Sequence, residues 1–339
     1  MPQSATIQSS KPPPKERFAW LDLLRGVATI LVLVLHSTLI GELHGITPDF
    51  TLVHINKLFS PFRMPLLMFV SGFLLPAALR KSTETYLVRK VATLLYPYML
   101  WTLIYGAIDP GKSLTSPYLW IGASYLWFIG FLFTYFVIAL LTVRIPAGAI
   151  VVVAAVISFI SPDHTKYMER YFFLMSVFFL GYWMAINRAA FERLTSARVL
   201  LIAGPLALAL AIFAVRSGDI RYEVEYYPAV FAAILVVIGG ARQLDRSRLA
   251  NMLIFVGRNS VVFFVVHYPL IYVWIGLLLW FGVHSILLIT ASSFVLASGL
   301  CTVLAYVRER RGTMDYLYVM PEPLQALTRW AILPALRRV

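Results

Sequence analysis

Residues 199–215 read VLLIAGPLALALAIFAV, a run without a single charged side chain. A similar run, IVVVAAVISFI, covers residues 150–160. A helix that crosses a membrane needs about 20 predominantly apolar residues to span roughly 30 Å of hydrocarbon. Transmembrane β-barrels show short alternating segments instead of long unbroken runs. These stretches therefore predict membrane-spanning helices.

The composition of the whole chain agrees with this interpretation. Of its 339 residues, 60% are of hydrophobic type and 13% are charged, and such a low charged fraction excludes a water-soluble fold. The apolar residues suffice for about ten crossings. We predict an all-α polytopic membrane protein with about ten transmembrane helices. The predicted spans lie near residues 18–40, 61–79, 92–108, 122–143, 147–161, 171–187, 198–215, 226–240, 260–281 and 284–306.

The positions of the basic residues predict the orientation. The net charge is +13, and 21 of the 29 Lys and Arg residues fall on one side of this arrangement, against 7 on the other. Because cytoplasmic loops carry the excess of Lys and Arg, we predict that both termini are cytoplasmic. The charge then reflects topology and contact with membrane lipids, and we expect no nucleic-acid partner.

Three regions follow from this topology. Residues 1–17 are predicted to form a flexible cytoplasmic tail, since they contain no apolar stretch of their own. Residues 18–306 form the transmembrane domain, and residues 307–339 form a cytoplasmic C-terminal tail. The polar stretches outside the spans are short, so any chemistry takes place inside or at the edge of the bilayer.

The first span carries three ionisable residues, Asp22, Arg25 and His36. Ionisable residues are costly within a membrane and usually face a protein interior or a water-filled cavity, which makes them candidates for function. Arg25 and His36 are 11 residues apart, within about 20° of three full helical turns and about 16 Å along the helix axis. Asp22 neighbours Arg25 on the same stripe. A structural ion pair and an unrelated core histidine are the alternative.

The second span opens with Phe62-Arg63-Met64-Pro65 and contains the pair Ser71-Gly72. The topology places Arg63 at the outer level of His36, where it is a candidate for holding an anionic or polar group. The small pair Ser71-Gly72 allows a neighbouring helix or a thin ligand to approach closely. Helix packing alone is the alternative for this pair.

These two segments resemble the signatures of the acyltransferase-3 family, the bacterial membrane O-acyltransferases that modify surface and secreted glycans. The order and spacing of the similar blocks cover most of residues 17–275. The similar blocks are Leu21-Asp22-Leu23-Leu24-Arg25-Gly26 followed by His36, Phe62-Arg63-Met64-Pro65 followed by Ser71-Gly72-Phe73-Leu74, Tyr96-Pro97-Tyr98 to Trp101, Leu126-Trp127-Phe128, and Gly257-Arg258-Asn259-Ser260 leading to His267-Tyr268-Pro269-Leu270.

The resemblance implies an enzyme with about ten spans, a cytosolic acyl-CoA donor such as acetyl-CoA, and an acceptor hydroxyl of a glycan or lipid-linked sugar. It implies that Arg25 and His36 are the essential pair, and it implies a bacterial cytoplasmic membrane. It also implies a donor-binding role for basic residues before the third span, where many members carry two arginines three residues apart. This chain has Arg89, Lys90 and then Thr93, so the second arginine is missing if Lys90 takes the first place.

Acyl transfer from a thioester to an alcohol requires a base for the hydroxyl proton, and a neutral imidazole serves at physiological pH. We therefore predict His36 as general base, and a covalent acyl-histidine is the alternative chemistry. Arg63, Ser71 or Trp127 are candidates for stabilising the oxyanion. His267, before Pro269, either lines the same cavity or satisfies a freed carbonyl. No metal-ligand spacing is present, and we expect no metal.

A function from another class stays open on physical grounds. A proton-coupled secondary transporter or exporter also has many spans and buried ionisable groups, and it would use Asp22, Arg25, His36 and His267 as a relay. The chain shows no pair of similar halves with matching Gly or Pro breaks, which disfavours this alternative.

Overall fold

The computed structural model describes residues 18–109, 111–117, 119–120, 125–161, 166–217, 222–244, 247–312 and 314–336. Within these ranges the chain is mainly helical and contains no β-strand. The predicted tail 1–17 lies outside the described residues. The α-helices are α1 (Ala19–Leu39), α2 (Phe50–Phe59), α3 (Arg63–Phe73), α4 (Leu75–Leu79), α5 (Thr83–Lys90), α6 (Tyr96–Ile108), α7 (Trp127–Leu141), α8 (Ala147–Ile160), α9 (Lys166–Ile186), α10 (Arg188–Leu194), α11 (Ala197–Ser217), α12 (Tyr227–Gln243), α13 (Arg248–Arg258), α14 (Ser260–Trp280), α15 (Ile286–Arg311) and α16 (Glu322–Leu336).

The prediction of an all-α polytopic membrane protein is confirmed, whereas the number of ten spans is only approximate. Seven described helical segments are long and apolar enough to cross a membrane, and an eighth results if a bent pair is counted as one span. The seven segments are Ala19–His44, Phe50–Leu79, Thr83–Ile108, Ala197–Ser217, Val224–Gln243, Ser260–Trp280 and Ile286–Arg311.

The remaining predicted spans correspond to shorter or broken helices. Helices α7 and α8 contain 15 and 14 residues and so cover roughly 21–23 Å, less than the hydrocarbon thickness. Helices α9 and α10 form the bent pair, with an angle of 107°. The bend falls at Asn187, whose side-chain amide donates to the carbonyl of Trp183 at 2.8 Å.

Helix α1 lies at the centre and packs against α2, α3, α12, α13, α14 and α15. Its closest approach is to α13, where a Cβ atom added to Gly257 would lie 1.7 Å from the carbonyl oxygen of Asp22. Helices α3 and α9 approach in the same way, because a Cβ on Gly72 would lie 1.8 Å from the carbonyl oxygen of Phe178. Glycine at these positions permits backbone contact between membrane helices. The close packing of α3 on α9 therefore explains why residue 72 is a glycine.

The N-terminal end of α1 lies next to segments that are predicted to be cytoplasmic from the distribution of basic residues. Trp20 stacks on Phe191 of α10, and Arg258 at the end of α13 lies 3.5 Å from Asp22. Asn259 donates to Glu309 near the end of α15 at 2.8 Å. We call this the inner end of the bundle and the opposite end the outer end; the sidedness itself stays a prediction.

The C-terminal region, predicted as a tail from residue 307, contains ordered structure. Helix α15 continues to Arg311 and stops at Gly312, whose φ of 61° suits glycine. After the turn Asp315–Leu317, helix α16 packs on α5. This segment therefore forms part of the inner end.

A π-helical turn at Val91–Leu95 joins α5 to α6 and explains one contact of the C-terminal segment. In a π-turn the carbonyl of Ala92 would accept from residue 97, but Pro97 has no N–H to donate. The backbone N–H of Met320 donates to the Ala92 carbonyl instead, at 2.9 Å. The indole of Trp101 also donates to the carbonyl of Leu317, at 2.8 Å.

Candidate active site

Two histidines that are far apart in the sequence meet between α1 and α14. Nδ1 of His36 lies 2.7 Å from Nε2 of His267, and the two rings stack with centroids 4.9 Å apart. His267 is fully buried, and its Nδ1 lies 2.7 Å from the carbonyl oxygen of Phe263. His267 therefore contacts His36 and a carbonyl of its own helix, but that carbonyl is not the one that Pro269 frees, and His267 is not among the described residues that line the cavity next to His36.

Pro269 shapes α14 next to this pair. A proline inside a helix cannot donate to the carbonyl four residues earlier, here that of Val265. The hydroxyl of Tyr125 donates to the Val265 carbonyl and so replaces the missing bond. The ring of Tyr125 stacks on Tyr268, which in turn packs edge-on against His36. These aromatic contacts hold the histidine pair in place.

The contacts of His267 determine which nitrogen of His36 is basic. A carbonyl oxygen only accepts hydrogen bonds, so the proton of neutral His267 lies on Nδ1, facing Phe263. Nε2 of His267 is then an acceptor, and it receives the proton of His36 Nδ1. With both rings neutral, His36 keeps a lone pair on Nε2. That nitrogen is the one available as a base.

His36 lines a cavity of about 120 Å³ towards the outer end, which we call the outer cavity. Two residues predicted to accompany it, Arg63 and Trp127, line the same cavity. The guanidinium of Arg63 is buried and donates to Oδ1 of Asn56 at 3.2 Å. The sequence analysis missed Arg170 and Tyr125, which also line this cavity.

Two overlapping cavities of about 390 and 320 Å³ lead inwards from the inner end, and we call them together the inner passage. Both are lined by Arg25, Ser71 and Thr93. Ser71, expected near the oxyanion or the acceptor, therefore lies on the inner passage. The deeper cavity reaches Phe264, which also lines the outer cavity. Phe264 thus forms part of the wall of both the inner passage and the outer cavity.

The mouth of the inner passage is basic. Arg89 and Lys90, the predicted donor-binding residues, line it together with Lys81, which the sequence analysis counted only as a loop charge. Nζ of Lys90 lies 3.1 Å from the centroid of the Phe136 ring. Thr93, at the place of the expected second arginine, contributes a hydroxyl. Lys81 supplies a third cation to the mouth.

Asp22 has a different position from the rest of its stripe. It is buried, with one carboxylate oxygen 3.9 Å from Arg25 and the other 3.5 Å from Arg258. It is not among the described residues that line the inner passage or the outer cavity. Asp22 is therefore connected to the site by its ion pair with Arg25, which lines the inner passage.

No described group of three or more His, Cys, Asp and Glu side chains is arranged to hold a metal ion. The chemistry of the site is that of the histidine pair, the surrounding cations and the hydroxyl groups. His36 supplies a proton acceptor in the outer cavity, and the inner passage, whose mouth is positively charged, adjoins that cavity. Two substrates that enter from different sides can therefore meet at this proton acceptor.

Comparison with known proteins identifies the family. No curated protein sequence and no solved structure gives a significant match. The family model described as the acyltransferase domain of acyltransferase family 3 matches residues 18–307, which is most of the chain. This confirms the resemblance of the helical signatures. The chain belongs to the acyltransferase-3 family, and the protein is a multi-pass membrane acyltransferase.

Proposed function

We propose that this acyltransferase transfers an acyl group, preferably acetyl, from acyl-CoA to a hydroxyl of a glycan or a lipid-linked sugar, with His36 as the general base. We propose further that it works in the cytoplasmic membrane of a bacterium, with the inner end in the cytosol. The observation that carries the proposal is the hydrogen-bonded series His36, His267 and the Phe263 carbonyl, which supplies a basic Nε2 beside the outer cavity.

The donor side of the proposal rests on the inner passage. The phosphates of the coenzyme are costly to move into hydrocarbon, so they stay at the mouth, next to Lys81, Arg89 and Lys90. The pantetheine arm is thin and extends past Arg25 into the deeper cavity. The distance from Arg25 to His36 along the helix is about 16 Å. The thioester then lies near Phe264, at the wall shared with the outer cavity.

The reaction needs one proton acceptor and no external redox partner. His36 Nε2 accepts the proton of the acceptor hydroxyl while its oxygen attacks the thioester carbonyl. The tetrahedral oxyanion forms near the guanidinium of Arg63, which stabilises the negative charge. The carbon–sulfur bond breaks, and the coenzyme thiolate takes the proton from His36. The products are the ester and the free thiol of the coenzyme.

Thioester consumption by the purified protein in liposomes tests this function. We compare the wild type with His36→Ala over a panel of acyl-CoAs and glycan or lipid-linked acceptors. The matched control is His54→Ala, because the described contacts of the His54 ring are both with Phe50 of its own helix: a hydrogen bond to the Phe50 carbonyl at 2.7 Å and a contact with the Phe50 ring. We expect turnover with the wild type and His54→Ala and its loss in folded His36→Ala.

Two results would contradict the proposal. Equal turnover by His36→Ala would remove His36 from the chemistry. Movement of a solute across the liposome membrane without consumption of any thioester would favour the transporter alternative.

A further inference from the structure

We propose that the inner end of the bundle carries a binding site for an anionic phospholipid, separate from the inner passage and the outer cavity. The site is a cavity of about 540 Å³ between α4 and α10, which we call the α4–α10 groove. The beginning of α1 and the ends of α3, α9 and α12 complete its wall. Its volume lies within the range of about 300–1,000 Å³ that is typical of ligand pockets.

Most of the α4–α10 groove is lined by apolar side chains. The ring of Trp20 stacks on Phe191 with centroids 6.0 Å apart and packs edge-on against Phe73 at 5.3 Å. Next to these rings, Phe18 and Ile186 are 41% and 50% exposed. Covering exposed apolar side chains with a hydrocarbon chain is favourable, because it removes their surface from water. This part of the groove therefore suits the acyl chains of a lipid.

The charged residues of the groove are three arginines and one glutamate. The guanidinium of Arg242 donates to both carboxylate oxygens of Glu192, at 3.0 and 3.1 Å, so this pair is bidentate and its charges compensate each other. Arg80 and Arg188 are exposed, and none of the described ion pairs includes either of them. The described lining of the groove therefore has a positive net charge.

A ligand that matches this lining has an anionic head and an apolar tail. Basic pockets between membrane helices at the cytoplasmic surface are typical binding sites for anionic lipid head groups. Trp20 fits this level of the bilayer, since tryptophan is enriched at the membrane–water interface. A zwitterionic lipid offers the same tails, but its own cation offsets its phosphate. The two arginines, Arg80 and Arg188, therefore predict a preference for an anionic head group.

The junction of α3 and α4 separates the groove from the inner passage. Leu74 and Ala77 line both cavities, whereas Arg80 is found in the lining of the groove and Lys81 in that of the passage. Adjacent residues at the end of α4 thus supply cations to two different cavities. We therefore expect the lipid head group and the proposed coenzyme to bind without competing.

Lipid titrations, read by native mass spectrometry of the detergent-solubilised protein, test the inference. We compare dioleoyl phosphatidylglycerol with dioleoyl phosphatidylcholine, which share their acyl chains and differ in the charge of the head group. The test variant is Arg80→Gln/Arg188→Gln. Its control is Arg144→Gln/Arg193→Gln, an equal change of charge at two exposed positions outside the described lining of the groove.

The wild type and the control variant should bind phosphatidylglycerol about tenfold more tightly than phosphatidylcholine. Arg80→Gln/Arg188→Gln should bind the two lipids equally, and its retained binding of phosphatidylcholine shows that it folds. Equal affinities for both lipids in the wild type, or the same loss of preference in both double variants, would overturn the inference.

A second pair of variants tests the place of binding without a change of charge. Ala185→Phe adds a ring to a residue that lines the groove, and Ala209→Phe adds one at an exposed position of α11. Ala185→Phe should weaken the binding of phosphatidylglycerol about tenfold, the loss expected when about two methylene groups leave apolar contact. Ala209→Phe should leave it unchanged. Equal binding by both variants would overturn the assignment to the groove.

Competition with coenzyme A distinguishes a lipid site from an extension of the donor site. Saturating coenzyme A should not displace phosphatidylglycerol from the wild type. Displacement would show that the groove binds the nucleotide end of the coenzyme and would overturn the inference. These readouts require no turnover, so their outcome does not depend on the proposed acyl transfer.

Discussion

In the proposed reaction, His267 orients the base His36 without contacting the substrates. By donating to the Phe263 carbonyl and accepting from His36, it keeps the lone pair of His36 on Nε2. We regard it as a positioning residue. In a histidine that acts as base, the wrong tautomer removes the lone pair from the reacting side, which can lower kcat by several orders of magnitude.

We predict that His267→Leu lowers kcat about 100-fold or more and changes the KM for acyl-CoA by less than threefold. His267→Gln should restore much of kcat, because its amide nitrogen can donate to the Phe263 carbonyl while its oxygen accepts from His36. Steady-state kinetics of both variants and of His284→Leu, at an exposed histidine, checks this. Equal loss with leucine and glutamine would show a purely structural role.

Arg25 lines both cavities of the inner passage, and we therefore assign it to the donor side of the proposed reaction. A charge-assisted hydrogen bond is worth about 1.5–3 kcal/mol, so its loss should raise the KM for acyl-CoA at least about tenfold. We expect this effect for Arg25→Ala, with a smaller change in kcat. Arg193→Ala, which removes an exposed charge in α10, is the control. If both variants raise the KM equally, the coenzyme does not pass Arg25.

The residues that could be predicted from the sequence are those whose relative positions depend on a single helix, whereas residues brought to the site by tertiary contacts could not be predicted. Arg25 and His36 were found because their spacing puts them on one stripe of α1. The partner of His36 lies 231 positions away, and no local pattern connects the two. Arg170 and Lys81 entered the sequence analysis only in the count of Lys and Arg residues on each side of the membrane. Their place in the site could not be predicted, because the cavities that they line form only when α9 and the α4–α5 connection pack against other helices.

At the level of elements, the contact between α1 and α13 sets the position of Asp22 and therefore of Arg25. A Cβ on Gly257 would lie 1.7 Å from the Asp22 carbonyl oxygen, so Gly257→Ala must push the helices apart. Such overpacking costs about 1–3 kcal/mol. We expect a lower thermal unfolding midpoint and lower activity. Gly240→Ala in α12 is the control, since nothing lies within 4 Å of its added Cβ. Unchanged stability of Gly257→Ala would contradict the close packing.

The C-terminal segment supports the wall of the inner passage through the π-turn that contains Thr93 and Leu94. We predict that ending the chain after Gly312 raises the KM for acyl-CoA and lowers the unfolding midpoint, because the Ala92 carbonyl loses its bond from Met320. A chain ending after Pro321 keeps this bond and loses only α16. It should bind the donor nearly normally, and equal defects in both truncations would assign the effect to α16 instead.

Apolar length alone predicted where helices form but could not give the number of crossings. Each of the ten predicted spans overlaps a described helix, yet α7 and α8 are too short for a full crossing and α9 bends into α10 at Asn187. The ends of these helices depend on side-chain contacts, such as the bond of Asn187 to Trp183. Hydropathy does not record such contacts.

For the whole molecule, the two ends of the bundle have different chemistry. The inner end opens into a passage lined by Lys81, Arg89 and Lys90, and the outer cavity contains His36 and Arg170. This arrangement suits a coenzyme that stays on one side of the membrane and an acceptor that is modified on the other. We therefore propose that the acyl group crosses the bilayer during the reaction.

Vectorial transfer in sealed proteoliposomes tests this claim most directly. Acyl-CoA with a labelled acyl group is supplied only to the inner end, and a membrane-impermeant acceptor only to the opposite compartment. We predict that labelled ester forms in the acceptor compartment with the wild type and with His54→Ala, and that it is absent with His36→Ala. Ester that forms only when donor and acceptor share one compartment, or that forms equally with His36→Ala, would contradict the account.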